Sequence, residues 1–165
     1  MQPSDKIVLG SGIKKGMTVL DMGCGSGAFI TDVARELGKS GLVCGLDIEI
    51  KMLTQVINKL NKPENKDIKN VEVVQANAYS LPFSDESFDI IYMVAVFQEI
   101  PDKERALKEI LRVLKQNGKL SISEFWGDPD FPLKSTTIRM VQKSKFTLDK
   151  VSGNLLNYTI NFKKI

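Results

Sequence analysis

The sequence predicts an α/β fold: a doubly wound, mostly parallel, seven-stranded sheet with helices on both faces and one antiparallel strand near the C-terminal edge. Three observations carry this expectation. Short apolar runs rich in strand formers alternate with segments of helical periodicity along most of the chain. The first run ends in alternating glycines, the mark of a sharp strand-to-helix turn. The last two β-like runs are joined only by the Gly153-Asn154 turn signal, too short for a parallel crossover.

The elements follow in order. Met17 to Met22 reads as a buried strand ended by glycines, and Ala28 to Leu37 as a helix stopped by Gly38. Leu42 to Asp47 is a second apolar run. Ile50, Leu53, Ile57 and Leu60 then recur at helical spacing until Pro63 closes the helix. Val71 to Val74 gives a third strand and Phe88 to Val94 a fourth. Asp102 can cap the next helix, whose apolar face is Ala106, Leu107, Ile110, Leu111 and Leu114 and which Asn117-Gly118 ends. Lys119 to Phe125 is the fifth strand. A weaker helix is expected from Leu133 to Lys143, then strands over Phe146 to Val151 and Leu155 to Phe162.

The chain has 165 residues, which at roughly 150 residues per domain predicts one domain over 1–165. Hydrophobic residues at 42% and charged residues at 26% exclude wholesale disorder. There is no histidine, which excludes Ser-His triads, histidine general bases and imidazole metal sites. Cys24 and Cys44 are too few for a disulfide framework or a cysteine-only zinc site, and they suit a reducing, cytoplasmic setting. The first ten residues lack a long apolar segment after a basic start and do not read as a signal peptide. No apolar run approaches the roughly 20 residues that span a bilayer. Residues 1–130 carry 16 basic and 19 acidic side chains, net −3; residues 131–165 carry seven basic and one acidic, net +6. Such a basic segment reads first as a solvated surface and second as a contact for an anionic partner.

The chemistry concentrates in Val19-Leu20-Asp21-Met22-Gly23-Cys24-Gly25-Ser26-Gly27. Glycines here permit a sharp turn and let a ligand reach the backbone, and the following helix presents free N–H groups. In an open α/β sheet this first turn, beyond the carboxyl end of the strand, is where ligands bind. Asp47 ends the second strand 20 residues after Gly27, where a carboxylate can accept ribose hydroxyls. The glycine spacing is not the Gly-x-Gly-x-x-Gly of dinucleotide sites, and Asp21 beside the turn would repel a pyrophosphate and attract a cationic amine. A nucleoside ligand with no phosphate and a positive group is the expectation.

These residues resemble motif I of the class I S-adenosylmethionine-dependent methyltransferases, whose fold is Rossmann-like. The resemblance continues through Gly45 to Leu53, Ala76 to Phe83, Asp85 to Asp89, Ala106 to Lys115 and Gly118 to Leu120. It covers roughly Ile13 to Phe125 and is closest to the small-molecule type, methyltransferase type 11, which includes ubiquinone and menaquinone methyltransferases. It implies that Asp21 holds the methionine amino group of S-adenosylmethionine, directly or through water. Gly23, Cys24, Gly25 and Gly27 would bring backbone against the methionine portion. Asp47 would take the ribose hydroxyls, Ile48 would pack on the adenine with Met52 in the same motif run, and Asn77 and Ala78 would face the adenine edge. Met93 and Val94 would lie near the amino acid portion, with Gln98 close to the reacting end.

Two departures stand out. Asn77 replaces the family's usual Asp, and an amide still offers an acceptor and a donor. Phe97-Gln98-Glu99 stands where the subgroup often has Leu-His-His, which removes one candidate base. Methyl transfer from a sulfonium needs an aligned nucleophile and a dry site, and no metal is expected. Base candidates by position are Glu99, Glu124 and Asp128, and Phe125 and Trp126 are candidates for the acceptor wall. Family members usually add N-terminal helices or a late insertion over the acceptor. With little of either here, the acceptor pocket is left open, completed by a second copy or partner subunit, or built by residues 126–144. A small-molecule acceptor is expected. A nucleic-acid acceptor is disfavoured, because Met93-Val94-Ala95-Val96 is not the Asn-Pro-Pro-Tyr-like run of adenine-modifying enzymes. The competing readings are a non-catalytic cofactor-binding subunit or sensor, and a nicotinamide-dependent oxidoreductase.

Overall fold

The computed structural model describes residues 10–125 and 132–165. Seven strands form one sheet in the order β3-β2-β1-β4-β5-β7-β6. They are β1 (Thr18–Met22), β2 (Leu42–Asp47), β3 (Val71–Gln75), β4 (Phe88–Val94), β5 (Leu114–Phe125), β6 (Phe146–Gly153) and β7 (Asn157–Lys164). Helices α1 (Ile30–Leu37), α2 (Ile50–Leu60), α3 (Lys103–Val113) and α4 (Lys134–Gln142) connect them. The pairs from β3 to β5 are all parallel, while β7 runs antiparallel to both β5 and β6. The reversed strand thus lies one place in from the edge, and the short 153–156 turn is what forces the reversal. Asn154 shapes that turn: its Oδ1 accepts from the N–H groups of Leu156 and Asn157.

Alternation along each strand divides the core between the two faces. Leu20, Met22, Ile91, Met93, Leu120 and Ile122 pack on one side with α3 residues Leu107 and Ile110 and with Val141 of α4. Val19, Val43, Ile90 and Tyr92 pack on the other with Ile30 and Val33 of α1 and Leu53 and Val56 of α2. Central strands buried on both faces are why β1 and β2 read as continuous apolar runs. Asp21 is the exception, a carboxylate in line with Val19 on the second face.

Several sequence boundaries shift. Helix α1 begins at Ile30, because residues 23–29 are consumed by the glycine turn. Helix α3 stops at Val113, not at Asn117-Gly118, and Leu114 is the first residue of β5, opposite Phe88. The cause is capping from outside the helix. The N–H groups of Glu86 and Ser87 donate to the carbonyls of Arg112 and Val113, so the last turn is satisfied without a glycine. Asn117 instead sits left-handed, at φ +62°, inside β5. Strand β6 extends to Gly153, and Leu155 and Leu156 are exposed turn residues.

Part of the basic C-terminal segment is paired internally. Lys163 and Lys119 both hold Asp149, and Lys164 reaches Glu86 and the Leu114 carbonyl. Among the described residues, no helix is long and apolar enough to cross a membrane.

Candidate functional site

The carboxyl ends of β1, β2 and β4 open onto one cavity of about 630 Å³. These neighbours meet where the connections diverge, α1 and α2 to one face and α3 to the other, which is the switch point where open α/β sheets bind ligands.

The glycine turn forms the floor. The N–H groups of Gly23 and Cys24 both donate to the Leu46 carbonyl, at 2.8 and 3.0 Å, and tie the turn to the end of β2. Gly25 is left-handed at φ +52°, and a Cβ built there would meet nothing within 4 Å, so its backbone faces open space. A Cβ on Gly27 would press on Ile30 and Val56, which fixes how closely α1 and α2 approach the turn.

Asp47 stands beside this floor. Its Oδ2 accepts from the Gly25 N–H at 2.8 Å and its Oδ1 from the Glu49 N–H at 2.9 Å. An ionised carboxylate offers about four acceptor positions, so both oxygens keep capacity toward the cavity. Next to it, Ile48 is 63% exposed and Met52 36%. Two large apolar side chains held open on a cavity wall make a surface for a flat apolar ring.

The adjoining wall is Ala76 to Tyr79, joined to Asp47 by the Ala76 N–H on its carbonyl at 3.2 Å, and it is braced from behind. Asn77 Oδ1 accepts from the Tyr79 N–H, and the Tyr79 hydroxyl accepts from the Asp102 N–H at 3.0 Å. Arg112 uses all five of its N–H donors: to the carbonyls of Leu81 and Phe83, to Asp85, and twice to Glu109. Glu109 in turn accepts from the Leu81 N–H, and Arg112 holds its carboxyl below the usual range. The third wall runs from Val94 to Pro101. Ala95 there is left-handed at φ +55°, with its N–H on the Ser123 carbonyl.

Of the residues singled out in the sequence, Gly23, Gly25, Asp47, Ile48, Met52, Asn77, Ala78 and Val94 line this cavity. Asp21, Cys24, Gly27, Met93 and Gln98 do not. Asp21 is buried beneath the turn, 3% exposed, in register with Tyr92. Its Oδ2 lies beside the Tyr92 hydroxyl, and neither atom makes a hydrogen bond to any other group. Burial pushes the Asp21 carboxyl up to about 7, with the nearby Tyr92 hydroxyl opposing and Asp47 reinforcing the rise. Burial also pushes the Cys24 thiol up, so it is a neutral thiol, not a nucleophile. Met93 points into the α3-side core, and Gln98 lines a different cavity. Of the base candidates, Glu99 lines the first cavity and is exposed, while Glu124 is buried in β5. Asp128 and Trp126 lie outside the described residues, and Phe125 ends β5 opposite Asn157.

The sequence reading missed Leu46, Ala95, Val96, Ile100 and Pro101 as wall residues. Their signal is positional: they end β2 or follow β4, the strands flanking β1. Asp47 and Glu99 are the charged side chains on the described wall, and both are acidic.

Comparison with known proteins adds the lineage. Residues 13–162 match a family described as a methyltransferase domain. The chain is 41% identical over 115 residues to a ubiquinone/menaquinone biosynthesis C-methyltransferase of Klebsiella pneumoniae, covering 70% of this chain and 45% of that protein. It is 39% identical over 149 residues to a demethylmenaquinone methyltransferase of Lactobacillus johnsonii, covering 90% and 58%. The chain therefore spans about half the length of the curated relatives it matches. A SAM-dependent methyltransferase from Aquifex aeolicus superimposes with a TM-score of 0.90 at 24% identity, covering 98% of this chain and 89% of that one. The [4+2]-cyclase SpnF superimposes at 0.83 and 18% identity over 98% and 79%, so the fold also serves a protein named for another reaction. A family match over most of the chain and relatives at about 40% identity settle the membership: the chain belongs to the methyltransferase domain family, in its class I S-adenosylmethionine-dependent branch.

Proposed function

We propose that the cavity binds S-adenosylmethionine and that the protein transfers its methyl group to a small-molecule acceptor. The charge of the wall carries this reading. Its charged residues, Asp47 and Glu99, are acids, which would repel a pyrophosphate and favour a ligand bearing a sulfonium and an ammonium. Asp47 suits the ribose hydroxyls, Ile48 and Met52 the adenine face, Asn77 and Ala78 its edge, and Gly23, Gly25 and Val94 the methionine portion. Asp21, its carboxyl raised by burial to about 7, supplies negative charge from beneath the turn once a cationic group draws off its proton. Cys24 and Gly27 shape the turn from behind.

S-adenosylmethionine, when bound, supplies a methyl group on a positively charged sulfur, already activated for displacement. The protein's part is to orient, to exclude water and to handle a proton. Val94, Val96 and Ile100 make the wall apolar at the end of β4, and Glu99, exposed on that wall, is the carboxylate placed to take a proton from an acceptor. The names of the relatives point to a quinone-type ring methylated at carbon. Two buried thiols fit a cytoplasmic setting.

The test has two parts. Calorimetry should show one site for S-adenosylmethionine and no heat from a nicotinamide dinucleotide; the reverse order of affinity would contradict the reading. Incubation with methyl-labelled cofactor and a reduced naphthoquinone lacking the ring methyl should give a labelled product. Tight cofactor binding with no transfer to any reduced quinone would remove the acceptor class.

A further inference from the structure

A second cavity, of about 390 Å³, lies beyond the short helix Phe97–Glu99. Its walls include Phe97, Gln98, Lys103, Thr136, Thr137 and Met140. No described residue lines both cavities, yet only this one turn separates them: Gln98 belongs to the second wall and Glu99 to the first. The second cavity is thus built from the end of β4 and the first turns of α3 and α4, beside the site assigned to the cofactor.

Lys103 sets its chemistry. The ammonium donates to the Gln98 carbonyl at 3.0 Å and the Ile100 carbonyl at 2.7 Å, and stands 5.8 Å from the centre of the Phe97 ring. These partners are neutral. They hold the ammonium in place without cancelling its charge, and they leave one of its three donors over. Lys115, Lys119 and Lys163, by contrast, each reach a carboxylate, whereas Lys59, held by the Gly27 carbonyl, shares the neutral kind of partner but lines neither cavity. Among the described residues no carboxylate lies within ion-pair distance of Lys103. An oriented, half-buried cation on a cavity wall, flanked by the apolar surfaces of Phe97 and Met140, fits a ligand with an anionic oxygen on an apolar body.

We infer that this cavity receives the methyl acceptor through an anionic oxygen, a carboxylate or an ionised ring hydroxyl, held by Lys103. The inference rests on the first cavity being the cofactor site: the oxygen anchored by Lys103 leaves the rest of the acceptor to pass the Phe97–Glu99 turn and present its reacting atom to the cofactor's methyl group and to Glu99.

Methionine-methyl NMR separates the two claims in one spectrum, since Met52 lines the first cavity and Met140 the second. The probes are benzoate, 4-nitrophenolate and, as neutral control, benzyl alcohol, each titrated with and without S-adenosylhomocysteine. At least one anion should shift Met140 saturably, with an affinity about tenfold above that of benzyl alcohol. Which anion does so identifies the oxygen. Lys103→Gln should abolish the preference and Lys103→Arg should keep it. The inference is overturned if Met140 ignores both anions, if benzyl alcohol binds equally well, or if Lys103→Gln retains the preference. Should Lys103→Gln fail to fold, the wild-type comparison and Lys103→Arg decide. A Met52 signal that ignores S-adenosylhomocysteine overturns the cofactor reading instead.

Discussion

Val96 occupies the space that a side chain on Gly23 would need: a Cβ built on Gly23 would come within 2.6 Å of Val96 Cγ2. The end of β4 is therefore packed directly on the first glycine of the turn. Gly23 is also left-handed, at φ +77°. Gly23→Ala combines backbone strain with overpacking and should cost roughly 2–4 kcal/mol. Denaturant melts check this. The double variant Gly23→Ala/Val96→Ala should recover the packing part and leave about 1 kcal/mol of strain.

Asp21 makes stability and binding depend on pH in opposite senses. Its folded-state pKa, about 7, lies above the ordinary carboxyl value of 3.8. Between those values the unfolded chain gives up the proton while the folded chain keeps it, so stability falls as pH rises from about 4 to 7. Asp21→Asn should therefore be more stable than wild type at pH 8, by an amount on the order of 4 kcal/mol or less, and equal to it near pH 4. A ligand ammonium held over the turn favours the ionised form. Wild-type affinity for S-adenosylhomocysteine should rise from pH 5.5 to pH 8 with proton release, and titrations in buffers of different ionisation enthalpy count those protons. A flat profile in both measurements would contradict the account.

Ile48 separates folding from binding. It is 63% exposed, so Ile48→Ser should change stability by no more than about 0.5 kcal/mol. If Ile48 carries the adenine face, the same change should weaken S-adenosylhomocysteine by several-fold, roughly 1 kcal/mol of lost apolar contact. Thermal melts and calorimetry on one preparation give both numbers.

Arg112 braces the adjoining wall. It ties the carbonyls of Leu81 and Phe83 to α3, and none of these three residues lines the cavity. Arg112→Ala leaves those carbonyls and Glu109 without their partner and should cost roughly 2–4 kcal/mol. The Leu81 amide, whose N–H is held by Glu109, should exchange faster with solvent water in the variant, and cofactor affinity should fall with it.

The fold was legible in the sequence because its determinants are local. The apolar runs at Val19 and Val43 are buried on both sheet faces, the glycines end β1, and Asn154 turns β6 into β7. The end of α3 was not legible, because its cap comes from Glu86 and Ser87, far away in the chain. The same divide runs through the site. Gly25 and Asp47 carry their roles in residue type and spacing, and the structure joins them with a hydrogen bond. Val96, Ile100 and Pro101 are ordinary apolar residues, and only the adjacency of β4 to β1 brings them to the wall. In the sequence Lys103 carries no motif and is one charge among many on α3. Its significance appears only once its neutral partners are seen.

The central claim is that the acid ending β2 holds the ribose of an adenosyl ligand against the glycine turn. Calorimetric titration of S-adenosylhomocysteine into wild type and Asp47→Ala at pH 8 tests it most directly. The account predicts one site per chain in the wild type and at least about a tenfold loss in the variant, the worth of a charge-assisted hydrogen bond. Equal affinity in the two proteins, or no heat and no thermal shift in the wild type at millimolar ligand, would contradict it.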